Sequence, residues 1–346
     1  MFRDSIPVIC YHRIDVNDSI SPEVFEAHLK YFAKAKIRSI GLQEMKDHLS
    51  GQDRIKEKNL MLTFDDGYQD FYHNAFPLLK KYQIKAVVFL IADRLVSDPN
   101  RTMPNPVPSY DEMHINAQNG DLSSFLSLEQ VLEMQASGLV EFGAHTKSHA
   151  VTICSPNVVS INQGQKLKWY FPDRKDIKIG SPLFELSPDL IGPRYMPNQE
   201  YIDRFKDLVS SGETDLSALQ EKLSGVSIGD CETGKEWHKR LEQEIVGAKQ
   251  DLELKLGCDI TSFCWPWGAE GDVARQVLIE SGYDLLFTLR RGANANPEHA
   301  HEIKRFSARK KGGDWLWSRL VVFNNSLFSR YYDRKNKQMP TVLPPC

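Results

Sequence analysis

The apolar run Asn59-Leu60-Met61-Leu62-Thr63-Phe64 ends in two adjacent carboxylates, Asp65 and Asp66, followed by Gly67. The carboxyl end of a buried strand is where α/β folds place reactive side chains. Neighbouring residues on an extended chain face opposite ways, so one carboxylate can hold a metal ion while the other takes a proton from water. Taken alone, Asp-Asp-Gly reads more readily as a turn and helix cap. A second apolar run, 139–143, leads into His145 and His149. Histidines four apart share one face of a helical turn and can ligate one ion. One aspartate and two histidines supply the three protein ligands typical of a catalytic zinc, with a position left for water. A third run, Phe263-Cys264, ends in Trp265-Pro266-Trp267-Gly268. Its rings suit stacking on a sugar, although a single tryptophan at a strand end is more often a core residue.

Those three strand ends need a scaffold that brings them together. Short β-branched runs alternate with helical periodicities, the pattern of βα units around a parallel sheet. Strands are expected at 6–11, 37–40, 59–65, 85–92, 139–143, 260–265 and 284–289, and helices at 22–35, 69–82, 127–137, 236–256 and 270–281. Ser21-Pro22 opens the first helix with a capping hydroxyl and a proline at the first helical position. Residues 93–126, with Pro99, Pro104, Pro106 and Pro108, read as a loop. Residues 150–234 show no steady period, and so long a stretch is usually a lid or an inserted subdomain. The aromatic-rich segment from Trp315 to Tyr332 reads as a helix closing the scaffold, with peripheral membrane contact as the other reading.

Composition narrows the classes of function without choosing one. The 346 residues are 41% hydrophobic and 26% charged, with a formal charge of -3. That suits a globular chain better than a disordered one, and there is no basic field for nucleic acid. Six cysteines without a close pair make neither a disulfide framework nor a structural zinc knot. No stretch approaches the roughly 18 apolar residues of a membrane span, and no apolar signal core follows Met1. A cytoplasmic location is expected, or a periplasmic or extracellular one if a signal was removed.

The order and spacing of the motifs resemble the polysaccharide deacetylase family, whose catalytic unit is the NodB homology domain (carbohydrate esterase family 4). Thr63-Phe64-Asp65-Asp66-Gly67 resembles its first motif, Phe142-Gly143-Ala144-His145-Thr146-Lys147-Ser148-His149 its second, and Pro266-Trp267-Gly268 its third. Residues 241–256 resemble the Glu-rich helix that precedes the third-motif strand. The resemblance implies an α/β fold, a distorted (β/α) barrel of the polysaccharide deacetylase type with a long insertion. It would be a single catalytic domain over 1–346 carrying an inserted subdomain or lid at 150–234. It also implies metal-dependent hydrolysis of the N-acetyl group of an amino sugar in cell-surface polysaccharide or lipopolysaccharide biosynthesis. The partner would be an N-acetylated sugar or glycan, and the cofactor one divalent metal, expected to be Zn2+. Carried over residue by residue, Asp65 is the general base, and Asp66, His145 and His149 are the metal ligands. The backbone N–H of Trp267 would hold the oxyanion, with Tyr11, Trp265 and Pro266 also binding substrate. The metal would polarise the amide carbonyl and lower the pKa of a water from about 15.7 towards 7.

Two departures from the family pattern redirect the assignment. Cys264 falls where the base-orienting arginine usually stands, and the late Leu-x-His motif that supplies the general acid in many members is not seen. Tyr11-His12 on the first strand is similar instead to an exopolysaccharide deacetylase subgroup that moves functional residues there. His12 is therefore expected to be the general acid, a role that fits an unperturbed pKa near 6.5. Arg305 is expected to replace the arginine beside Asp65. The substrate could be a lipid-linked or nucleotide-linked precursor. Deformylation of a formamido sugar is one alternative, and a barrel that only binds glycan is another, favoured by the missing arginine. His28, His48, His73, His114 and His238 are read as scattered on surfaces or helices, and 180–185 and 192–195 as the insertion's aromatic clusters.

Overall fold

The computed structural model describes residues 4–18, 20–52, 58–295 and 297–335, so the first three residues, read above for a signal, lie outside it. The elements run β1 (Val8–Tyr11), α1 (Pro22–Lys34), β2 (Arg38–Ser39), α2 (Leu42–Ser50), β3 (Asn59–Phe64), α3 (Phe76–Tyr82), β4 (Ala86–Leu90), α4 (Tyr110–Gln118), α5 (Leu128–Ala136) and β5 (Val140–Ala144). Then come β6 (Val151–Ile161), β7 (Pro182–Pro188), β8 (Tyr195–Pro197), α6 (Gln199–Ser210), α7 (Leu216–Lys222), β9 (Gly229–Cys231) and α8 (Gly234–Leu256). The chain ends through β10 (Ser262–Cys264), α9 (Asp272–Glu280), β11 (Leu285–Phe287), β12 (Phe306–Ser307), α10 (Gly313–Phe323) and α11 (Ser326–Lys335).

The apolar runs pair in parallel in the order β11-β10-β5-β4-β3-β1-β12, with β2 beside the start of β3. Residues 303–307 touch both ends of that order. Ile303 bridges to Phe287 beyond β11, donating to Leu286 O at 2.7 Å, and Phe306 pairs with Ile9 of β1. The sheet thus curls into a distorted barrel closed by one short segment. Alternation along each strand divides the side chains. Val8, Met61, Val87, Phe89, Cys264, Leu285, Phe287 and Ile303 share the cluster inside the curl. Ile9, Tyr11, Leu62, Phe64, Val88, Leu90, Phe263, Trp265 and Leu286 pack outward with the helices. Gly143 is required where β4, β5 and β10 meet, since a Cβ there would lie 2.3 Å from Ser262 Oγ and 2.7 Å from the Phe89 ring.

The expected strands and helices are present with shifts at their ends, and Ser21 caps α1 by accepting from Val24 N. Two readings need correction. The loop expected at 93–126 contains α4, which starts just past the proline cluster because Ser109 and Glu112 form a capping box. The helix expected through 315–332 is two, because Asn325 Oδ1 accepts from the N–H groups of Leu327 and Phe328 and caps a new start. Residues 150–234, expected as a lid or inserted subdomain, hold regular elements. They form the β6–β7 and β8–β9 antiparallel pairs together with α6 and α7, which pack on the hairpin through Tyr201, Phe205, Leu219 and Phe184. Among the described residues no helix is long and apolar enough to cross a membrane.

Candidate active site

The inward alternation, carried past the strand ends, delivers His12 after β1, Asp65 after β3 and His145 after β5. Arg305, between the two pairings of the closing segment, points in from the other side. Its Nη1 donates to Asp65 Oδ1 at 2.7 Å and its Nη2 to Oδ2 at 2.9 Å. Three further acceptors, Thr288 O, Thr63 Oγ1 and Cys264 Sγ, use the remaining donors of the fork at 2.8, 3.1 and 2.9 Å. Arg305 and Asp65 are both buried. Burial alone would raise the Asp65 pKa, and the guanidinium reverses this, holding the carboxyl below the usual range.

Asp66 turns away from this pair because it and Gly67 both have left-handed backbones, with φ of 72°. Its Oδ1 lies 3.5 Å from His145 Nε2 and 3.5 Å from His149 Nε2. The two histidines do not share a helical turn, contrary to expectation. Residues 145–149 form a loop with left-handed Thr146 (φ 61°) and His149 (φ 58°), fastened where His149 N donates to Thr146 Oγ1 at 2.9 Å. Glu244 of α8 accepts from Ser148 N and Oγ at 3.0 and 2.8 Å and fixes the same loop. Of seven non-glycine residues with positive φ among those described, Asp66, Thr146, His149 and Trp267 are here. Each such residue costs of order 1 kcal/mol or more, and strain of this kind collects at functional sites.

The donor set suits a divalent cation. His145 Nδ1 bonds the Cys264 carbonyl at 2.8 Å; a carbonyl only accepts, so this nitrogen carries the proton and Nε2 is the free donor. Burial and the neighbouring His145 and His114 push the His149 pKa well down, leaving a neutral imidazole. Asp66 Oδ1 is buried without a hydrogen-bond partner among the described residues. Ligands on a tetrahedral zinc stand about 3.4 Å apart for nitrogen and oxygen, from bond lengths of about 2.0–2.2 Å. The observed 3.5 Å separations match that span.

His12 stands beside this centre with 43% of its side chain exposed, its Nε2 4.0 Å from Asp65 Oδ2. Burial opposes a charge on the ring, but Cys10, Asp65 and Asp66 outweigh it and push the pKa up to about 10. Trp267 follows β10 with φ of 60°, and its ring packs 5.0 Å from that of His149.

Comparison with known proteins fits this geometry. Residues 52–167 match the polysaccharide deacetylase family. The match covers about a third of the chain. A putative polysaccharide deacetylase of Bacillus subtilis is 36% identical over 88 residues, 25% of this chain and 32% of that protein. The poly-beta-1,6-N-acetyl-D-glucosamine N-deacetylase of Escherichia coli is 24% identical over 258 residues, 74% of this chain and 29% of that protein. The chain therefore spans about a third of the length of these relatives. Among solved structures, a de-N-acetylase from Aggregatibacter actinomycetemcomitans superposes with a TM-score of 0.60 at 20% identity, covering 92% of this chain and 100% of that one. IcaB from Ammonifex degensii gives 0.56 at 21% identity, covering 93% and 97%. Both likenesses are of fold.

Within this chain, two expected substrate contacts lie elsewhere. Trp265 and Tyr11 are fully buried on the helix side of the barrel, Trp265 packing against Phe263. Tyr11 OH bonds His28 Nδ1 at 2.9 Å. Both sit one residue out of phase with the inward positions, so alternation sends them outward. Pro266 is buried as well, at the head of the turn that sets Trp267. His114, read above as scattered, is fully buried, and His28 and His48 are buried too. His114 stacks on Trp169 with ring centroids 3.7 Å apart. Trp169 in turn stacks on Trp267 at 5.5 Å and lies 5.8 Å from the His149 ring. The insertion's aromatics at the site are thus Trp169 and Tyr170, not those at 180–185 and 192–195. Their signal was the run Trp169-Tyr170-Phe171 itself.

Proposed function

We propose that this chain hydrolyses the N-acetyl group of an amino sugar, with Asp65 as general base and His12 as general acid. The observation that carries the reading is the juxtaposition of an Arg305-held carboxylate with the Asp66, His145 and His149 donors. Those three would hold one divalent cation, proposed as Zn2+ because imidazole and carboxylate suit it. When bound, it supplies a Lewis acid for the acyl oxygen and acidifies water. Asp65, held ionised by Arg305, would accept a proton from the attacking water. Arg305 fixes both carboxylate oxygens, so the base meets the water in one orientation. The Trp267 N–H is set to donate to the oxygen of the tetrahedral intermediate, a contact typically worth about 3–4 kcal/mol. His12, which keeps its proton at neutral pH, donates it to the departing nitrogen, so that amine and acetate leave. Acid and base are thus separated by environment, one pKa pushed up and the other down.

The missing third-motif arginine was the argument for a barrel that binds glycan without turning it over. The ion pair of Asp65 with Arg305 removes that argument. The related poly-beta-1,6-N-acetyl-D-glucosamine N-deacetylase points to N-acetylglucosamine units as the first substrates to try. Amine release from N-acetylated sugars, with and without added zinc, tests the reading. Zinc-dependent release that is lost in D65N is expected. No turnover across a broad sugar panel at full metal occupancy would sink it.

A further inference from the structure

We propose that Cys10, His12 and Asp65 form a second metal site, specific for thiophilic divalent cations such as Zn2+ and Cd2+, beside the Asp66, His145 and His149 centre. Cys10 takes no part in the proposed reaction, yet alternation along β1 turns its buried thiol into the barrel. Its Sγ lies 3.5 Å from Asp65 Oδ2 and 3.9 Å from His12 Nδ1, and His12 Nε2 is 4.0 Å from the same carboxylate oxygen. With Zn–S of about 2.3 Å and Zn–N or Zn–O of about 2.0–2.2 Å, tetrahedral ligands stand about 3.6 Å apart from sulfur and about 3.4 Å for nitrogen and oxygen. Cys10 and Asp65 already have that spacing. Those two contacts use different nitrogens of the ring, and a single nitrogen lies within 4.8 Å of both other donors; the imidazole must turn to bring it to ligand spacing, and it is the half-exposed member of the three.

The charges favour the same conclusion. Arg305 contributes one positive charge against Asp65. Binding of the dication displaces two protons to solvent, one from the Cys10 thiol and one from the His12 imidazolium, so a thiolate and a neutral imidazole join the carboxylate opposite the ion. Asp65 Oδ2 accepts from Arg305 Nη2 at 2.9 Å, and an ionised carboxylate oxygen has a second lone pair for the ion. The nearby guanidinium makes this the weaker of the two sites. The sulfur ligand sets its selectivity, because thiolate prefers zinc and cadmium over magnesium, calcium and manganese. The consequence for catalysis rests on the proposed function: an ion here engages base and acid together, so excess zinc inhibits where excess magnesium does not.

Metal counting tests the site without substrate, so its outcome stands apart from whether the protein is a deacetylase. In a full-length background with Cys154, Cys231, Cys258 and Cys346 replaced by serine, apo protein is titrated with Cd2+ while the near-ultraviolet thiolate-to-metal band is followed. The first equivalent is expected to bind without the band and the second with it. C10S should lose the band and the second equivalent, and keep the first. H149A should lose the first alone. H12Q, which leaves the buried strand intact, should weaken the second equivalent at least tenfold and provides the test if C10S misfolds. One equivalent in total, a second without the band, or a band that survives C10S and disappears in C264S would each overturn the proposal.

Discussion

Replacing Arg305 by methionine keeps the length of the side chain and removes the charge and all five donors. The structure sets the scale of the loss. Arg305 is fully buried and bonds both oxygens of a buried carboxylate, so R305M takes from Asp65 its bidentate partner and leaves it the half-exposed His12 and the Cys10 thiol. Breaking a buried pair from one side costs about 3–5 kcal/mol, a fall in Tm of order 10 °C for a chain of this size. Burial is then opposed only by His12 and His145, so the Asp65 pKa rises from the value to which the parent's guanidinium depresses it. The native state of R305M therefore binds a proton that the parent's does not, over the pH range between those two values. The stability gap between parent and variant must grow as pH rises through that range and shrink as pH falls below the variant's Asp65 pKa. The assay is thermal unfolding of parent, R305M, D65N and the double variant across pH, with the acid limb of kcat/KM as a second readout. The double variant should be more stable than R305M, and the acid limb of R305M should move to higher pH. R305K, a point charge in place of a fork, should recover only part of both. An R305M protein within about 1 kcal/mol of the parent, well short of a broken buried pair, with an unmoved acid limb, would refute the reasoning.

Three further substitutions probe the scaffold and the chemistry. H12A should lower turnover about 10²–10⁴-fold with the first metal equivalent, the one assigned to Asp66, His145 and His149, intact in metal analysis; loss of that equivalent instead would remove His12 from the acid role. E244A frees the two Ser148 donors that hold the histidine loop, and metal affinity measured by chelator competition should fall about 10–100-fold. An unchanged affinity would show that the loop is fixed without Glu244. G143A drives a methyl group into Ser262 Oγ and the Phe89 ring. It should cost about 1–3 kcal/mol in thermal unfolding, and a neutral result would mean that the three strands can part at that point.

Much of the barrel was legible because period-2 alternation and apolar runs of strand length are local signals. The same alternation, applied strictly, would have placed Tyr11 and Trp265 outward, since both are odd neighbours of inward Cys10 and Cys264. Aromatic chemistry near a motif overrode a geometric rule that was already available. The histidine pair was found from its spacing, but the helical reason was wrong. Left-handed residues at Thr146 and His149 bring the imidazoles together, and non-glycine residues carry no sequence mark for that conformation. Trp169 escaped because its partners, His114 and Trp267, are 55 and 98 positions away. Stacking over such separations leaves no periodic trace.

The position of Arg305 explains how the site tolerates a cysteine where an arginine is usual. In a closed barrel the strand ends converge on one axis, so a guanidinium can reach Asp65 from more than one strand. Here it comes from the segment between the Ile303 bridge and β12, the last stretch needed to close the ring. Cys264 is small enough to leave room for it, and its sulfur accepts one of its hydrogen bonds at 2.9 Å. An arginine at 264 would place a second buried cation against the first. Cysteine at 264 and arginine at 305 are therefore one arrangement read at two positions. The closing segment also acquires a double task, since the backbone that seals the barrel carries the side chain that orients the base. Loss of that pairing would expose the barrel seam and release Asp65 together, which ties the integrity of the fold to the proposed chemistry at a single residue.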